Sequence, residues 1–88
     1  MTLAFYSDGA EKARVDLAPR ERAAVEAVRA SLETDPQRGR PVPDAGEGSD
    51  SYVVELLPEA TGGRGISVVH RYSGELDAVL ITWLVAGP

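Results

Sequence analysis

His70 and Arg71 stand side by side in Ile66-Ser67-Val68-Val69-His70-Arg71-Tyr72, and Arg64 precedes His70 by six residues. A histidine that titrates near neutral pH beside permanent cations could move a proton while holding a phosphate. Strand alternation works against that reading. It points His70 and Arg71 to opposite faces, so they form one constellation only across a bulge. A lone ionisable group also lacks a partner to tune it, so His70 is expected to pack with Val68 and Tyr72, and Arg71 to serve as a surface or ion-pair residue. Gly62-Gly63-Arg64-Gly65 has the glycines of a phosphate-cradling loop. It lacks the Lys-Ser/Thr and the helix that should follow, and predicts a flexible hairpin connection. Asp44, Glu47 and Asp50 match no calcium-loop spacing and predict a solvated acidic loop. With no cysteine and a single histidine, no metal site and no cofactor are expected.

A chain of 88 residues predicts one domain over 1–88 with a thin core, and such domains often lean on a partner chain. Apolar residues make up 43% and charged residues 26%, which suffices for a core and a polar surface. The net charge of −5 disfavours broad nucleic-acid binding, which needs clustered Lys and Arg; the nine present leave room for a local patch only. No stretch reads as a signal peptide or membrane span. The apolar run from Ala78 to Ala86 is broken by Thr82 and too short to cross a bilayer, so the expectation is a cytoplasmic protein with no membrane partner.

The elements that must position these residues follow from periodicity. Thr2–Tyr6 reads as a first strand. Ser7 or Asp8 can cap a helix over about 9–17, Asp8 and Glu11 having capping-box spacing, with Ala10, Ala13 and Leu17 on its inner face. Pro19 fits the first turn of a second helix reaching about residue 34. There Val25, Val28 and Leu32 form the inner stripe. Glu21, Arg22, Glu26, Arg29 and Glu33 form a solvated face with Arg22–Glu26 and Arg29–Glu33 pairs. Asp35-Pro36 ends it. Residues 37–51 are Gly-, Pro-, Asp- and Ser-rich and read as a long loop. Tyr52–Leu57, Ile66–Tyr72 and Leu76–Val85 read as strands, with Ser73-Gly74 as a tight turn. The fold class is α+β, in the order β-α-α-β-β-β, with two helices on a small antiparallel sheet. Val25, Val28, Leu32, Val54, Leu56, Val68 and Leu80 are the expected core.

In this order the chain resembles the RelE/ParE family of small bacterial toxins from toxin–antitoxin pairs. The resemblance is carried by Phe5-Tyr6-Ser7, Ala10-Glu11-Lys12-Ala13, Leu17-Ala18-Pro19, Leu32-Glu33-Thr34-Asp35-Pro36, Gly39-Arg40-Pro41, Tyr52, Ile66 to Tyr72, and Trp83-Leu84-Val85-Ala86-Gly87. It implies a fold of helices on a sheet and an antitoxin segment wrapped over both. Ribonuclease members cut messenger RNA on the ribosome with basic side chains on the sheet and an arginine and an aromatic or histidine after the last strand. Here Tyr52-Val53-Val54-Glu55 stands where lysines are wanted, and the sequence given ends at Gly87-Pro88.

RNA cleavage needs a base for the 2′-hydroxyl and cations for the developing phosphate charge. Arg64, His70 and Arg71 are the candidates for a divergent ribonuclease site. The leading expectation is instead a toxin-like domain that acts by binding protein, without RNA cleavage; a dimerising structural or regulatory module is the third reading. The partner surface is expected on the last strand. If two helices cover one side of a four-stranded sheet, Val79, Ile81, Trp83 and Val85 are left on the other with Val53 and Val69, to be met by an antitoxin-like segment or a second copy.

Overall fold

The computed structural model describes residues 2–42 and 50–87. The chain opens with β1 (Leu3–Tyr6) and passes through Ser7 into α1 (Asp8–Val15). Ser7, rather than Asp8, caps the helix: its Oγ accepts from the Ala10 N–H at 3.1 Å. Ala10 is fully buried and Leu17 nearly so.

Pro19 opens α2 (Pro19–Ser31), which buries Val25 and Val28 and leads into the buried Leu32. The helix ends three residues before the expected position. Glu33 and Thr34 donate to carbonyls three residues back, and the Ser31 hydroxyl bonds the Val28 carbonyl at 2.7 Å, so the last turn tightens before Pro36. The charged face is only partly solvated. Glu21 is 6% exposed, because its carboxylate folds back to accept from the Ala18 N–H at 2.8 Å and from Arg64 Nε at 2.7 Å. Arg29 pairs with both Glu26 (2.6 Å) and Glu33 (3.4 Å), whereas Arg22 turns from Glu26 to the Leu17 carbonyl.

The expected loop over 37–51 contains a strand, β2 (Arg40–Pro41), antiparallel to β3 (Asp50–Leu56). Asp44 and Glu47 of the acidic-loop reading lie outside the described residues. Gly39 makes this pairing possible. It sits at φ 107°, and a Cβ there would lie 2.5 Å from the Val53 carbonyl oxygen. The expected glycine-rich hairpin connection after β3 is a short helix, α3 (Pro58–Thr61), started by a proline and stopped by Gly62 at φ 86°. Next come β4 (Ile66–Ser73) and β5 (Ala78–Ala86), joined by a four-residue turn with Asp77 at φ 49° instead of a two-residue one.

The sheet order is β1-β5-β4-β3-β2. It has five strands, one more than expected, and is not wholly antiparallel: β1 lies parallel to β5, with Leu3 opposite Ala78 and Tyr6 opposite Ile81. α1 and α2 cover one face, and between them and the sheet lies the core of Ala10, Leu17, Val25, Val28, Leu32, Val54, Ile66, Val68, Val79, Ile81 and Leu84.

One irregularity decides which side chains reach that core. Between β4 and β5, Val69 pairs with Trp83 but His70 pairs with Ile81, so Thr82 is an extra residue in β5. Its hydroxyl donates to the Val69 carbonyl at 3.2 Å, and its own carbonyl accepts from Ser7 Oγ at 3.1 Å. A bulge reverses the alternation of everything beyond it. Val79 and Ile81 point inward before it, and Leu84 points inward after it. The expected single exposed row of Val79, Ile81, Trp83 and Val85 is therefore split: Val79 and Ile81 are fully buried, while Trp83 and Val85 face out. Leu80, expected in the core, lies on the outer face for the same reason.

Both edges of the sheet are partly blunted. On the β1 side, Arg29 Nη1 of α2 donates to the Ala4 carbonyl at 3.2 Å. On the other side, β2 is two residues long and its Pro41 has no N–H to offer.

Candidate functional site

The outer face of the sheet is the one without helices. Its strand positions are Leu3 and Phe5 of β1; Ala78, Leu80, Trp83 and Val85 of β5; Ser67, Val69, Arg71 and Ser73 of β4; Ser51, Val53 and Glu55 of β3; and Arg40 of β2. Five large apolar side chains stand exposed on β1 and β5: Leu3 at 54%, Phe5 at 52%, Leu80 at 43%, Trp83 at 65% and Val85 at 56%. Leu76 of the β4–β5 turn adds to their margin. Contiguous apolar surface of this kind marks an interaction site more often than isolated exposed residues do.

The charged groups at the strand positions of this face are few. Arg40 Nη2 donates to Glu55 Oε1 at 2.7 Å near the β2 edge. Arg71 lies opposite Leu80 on β5 and Ser51 on β3, and it has no ion pair among the described residues. Beside it a cleft of about 250 Å³ is lined by Phe5, Arg71, Tyr72, Leu76 and Leu80.

The three candidate ribonuclease residues are not brought together. Arg64 reaches across to Glu21 at the start of α2, with its Nε 2.7 Å from Oε2. That bond, followed by the Ala18 N–H, holds the Glu21 carboxyl below its usual titration range. His70 is fully buried on the helix side of the sheet. Its Nε2 lies 2.9 Å from the Arg38 carbonyl, which can only accept, so Nε2 carries the proton. Its ring stacks on Tyr52 at 5.5 Å between centroids, and Nδ1 is buried without a partner among the described residues. Burial lowers its pKa below the ordinary 6.5. Arg71 emerges on the opposite face, as strand alternation predicts. A buried imidazole and a cation on the far side of a sheet cannot share one phosphodiester.

A second polar cluster supports the helices. The Tyr6 hydroxyl donates to Glu26 Oε1 at 2.9 Å, and Arg14 pairs with Glu11 and lies 5.4 Å from the Tyr6 ring centre. Burial and the Glu26 carboxylate raise the Tyr6 pKa, which keeps the phenol neutral. Among the described residues no group of three or more His, Cys, Asp or Glu side chains could hold a metal ion. No helix there is long and apolar enough to cross a membrane.

Leu3, Phe5 and Leu80 are the members of the outer face that sequence reasoning missed. The one signal for Leu80 was Thr82, the sole polar residue in an apolar run, where a bulge could sit. The contribution of β1 depends on a parallel pairing between residues about 75 apart, for which the sequence carries no local mark.

No protein-family model matches the sequence, and no curated protein matches it. Among solved structures, the whole chain aligns with 99% of a chain in the crystal structure of the intact E. coli RelBE toxin–antitoxin complex, at a TM-score of 0.76 and 12% sequence identity. The fold is RelE-like. The likeness spans this chain's whole five-stranded sheet and its helices. At this identity the likeness is one of backbone.

Proposed function

We propose that this RelE-like chain is a toxin-like domain that acts by binding protein through the outer face of its sheet, without cleaving RNA. The observation that carries the reading is the exposed apolar row of Leu3, Phe5, Leu80, Trp83 and Val85. Two further points support it. Arg64 is engaged by Glu21 and His70 is sealed in the core, so neither joins Arg71 on the outer face. The structural neighbour comes from a toxin–antitoxin complex, which supports a protein partner for this chain.

The test is expression of the chain in bacteria with growth followed over time, together with incubation of the purified protein with translating ribosomes and mapping of transcript ends. The expected result is growth arrest that Trp83→Asp relieves, with no new transcript ends. Site-specific cuts that vanish in His70→Ala or Arg71→Ala would establish the divergent ribonuclease instead. Unimpaired growth with wild-type protein present in folded form would favour a structural or regulatory module.

A further inference from the structure

Arg71 is a charged side chain set into an apolar surface. It projects from β4 between Leu80 and Ser51, and with Phe5, Tyr72, Leu76 and Leu80 it lines the cleft of about 250 Å³. The only carboxylate among the strand positions of this face is Glu55, and Arg40 already holds it at 2.7 Å. Among the described residues no carboxylate pairs with Arg71, so covering the face would bury its guanidinium without a counter-charge from them, which is unfavourable. An occupant that brings its own carboxylate would meet that charge. The cleft is also smaller than the roughly 300–1,000 Å³ typical of pockets for small molecules. It suits one protruding side chain of a polypeptide.

We infer that the outer face takes an apolar peptide segment that inserts one side chain into the Phe5–Leu76–Leu80 cleft and sets an Asp or Glu against Arg71. The inference rests on the proposed protein-binding role of the face and adds the chemistry of the partner. A guanidinium bonds a carboxylate through two parallel N–H donors, so Arg71 would fix the register of the segment as well as its charge. Trp83 and Val85, beyond the bulge, supply apolar area at the other end of the same surface. A second copy of the chain fits less well, because its equivalent face brings another Arg71 and a carboxylate that is already paired.

A random peptide library displayed on phage, selected on the immobilised protein, tests this. Wild-type protein should enrich peptides that combine large apolar residues with an Asp or Glu. Arg71→Glu should enrich Lys or Arg at the corresponding place. A synthetic peptide from the wild-type selection should bind Arg71→Glu about tenfold more weakly or worse, and should lose binding to Trp83→Ala, while circular dichroism shows both variants folded. Peptides that depend on Trp83 but carry no acidic residue would overturn the role of Arg71 and leave the docking face standing. Failure to enrich any peptide, or enrichment indifferent to Trp83→Ala, would overturn both readings. Reversible dimerisation in sedimentation that Trp83→Ala abolishes would assign the face to a second copy and overturn the inference.

Discussion

Tyr52 and His70 stack across β3 and β4 with their rings 5.5 Å apart, and each also holds the segment that follows α2: His70 through the Arg38 carbonyl and Tyr52 through Gln37 Nε2 at 3.0 Å. Protonating His70 would place a proton on the buried Nδ1, which has no acceptor among the described residues. The folded-state pKa is thus depressed below 6.5. The histidine's contribution is complete above pH 6.5 and is lost progressively as pH falls from there toward the folded pKa, with a slope of at most about 1.4 kcal/mol per pH unit. Glu11, Glu21 and Glu26 titrate below their ordinary 4.5, so their losses begin at lower pH. Urea denaturation at pH 7.5 and at pH 5.0 should show wild-type protein weakened at the lower pH. His70→Phe, which keeps a ring against Tyr52, should show little change across that interval.

Ser7 ties two elements with one hydroxyl, accepting from Ala10 N–H and donating to the Thr82 carbonyl at the bulge. Ser7→Ala removes a helix cap and leaves the bulge carbonyl without this donor. A loss of about 1–2 kcal/mol is expected in equilibrium denaturation. An unchanged midpoint would show that water replaces both bonds at no cost.

Gly39 lies at a positive φ against the backbone of Val53. Gly39→Ala should strain the turn and press its methyl on the Val53 carbonyl, lowering stability by about 1–3 kcal/mol. Faster hydrogen exchange at the Val42 amide, which donates to the Ser51 carbonyl at 2.8 Å, would show β2 coming loose from β3.

Trp83 is the only tryptophan in the chain and stands largely in water. Its fluorescence should be that of a solvated indole and readily quenched by acrylamide. Trp83→Ala should move stability by no more than about 0.5 kcal/mol, as surface substitutions generally do. A blue-shifted, protected indole in dilute protein would mean that the outer face is already covered.

The helices were legible in the sequence and the sheet faces only in part. Val25, Val28 and Leu32 repeat with the helical period and bury one stripe, because backbone geometry alone fixes that spacing. Tyr52, Val54 and Leu56 alternate against polar Ser51 and Glu55, so the faces of β3 were readable too. In β5 every neighbour of Thr82 is apolar, so alternation carries no phase, and the bulge that sets it arises from pairing with Val69 and Ser7. β2 was hidden because Arg40-Pro41 is held by the approach of Gly39 to Val53 more than by its own strand propensity. Of the site, the exposure of Trp83 and the separation of His70 from Arg71 were readable. The joining of Leu3 and Phe5 to them was not, because it comes from a parallel contact between the two ends of the chain.

The blunted edges bear on how this protein can assemble. Strand addition requires a row of free N–H and C=O groups, and here Arg29 occupies the Ala4 carbonyl on one border while a two-residue strand ending in Pro41 blunts the other. Exposed apolar side chains would ordinarily invite a β-rich protein to stack edge to edge into filaments. With both borders blunted, the largest group of exposed apolar side chains lies on the outer face of the sheet. Association should then stop at a discrete complex instead of growing, even when the protein is made in excess over whatever it binds.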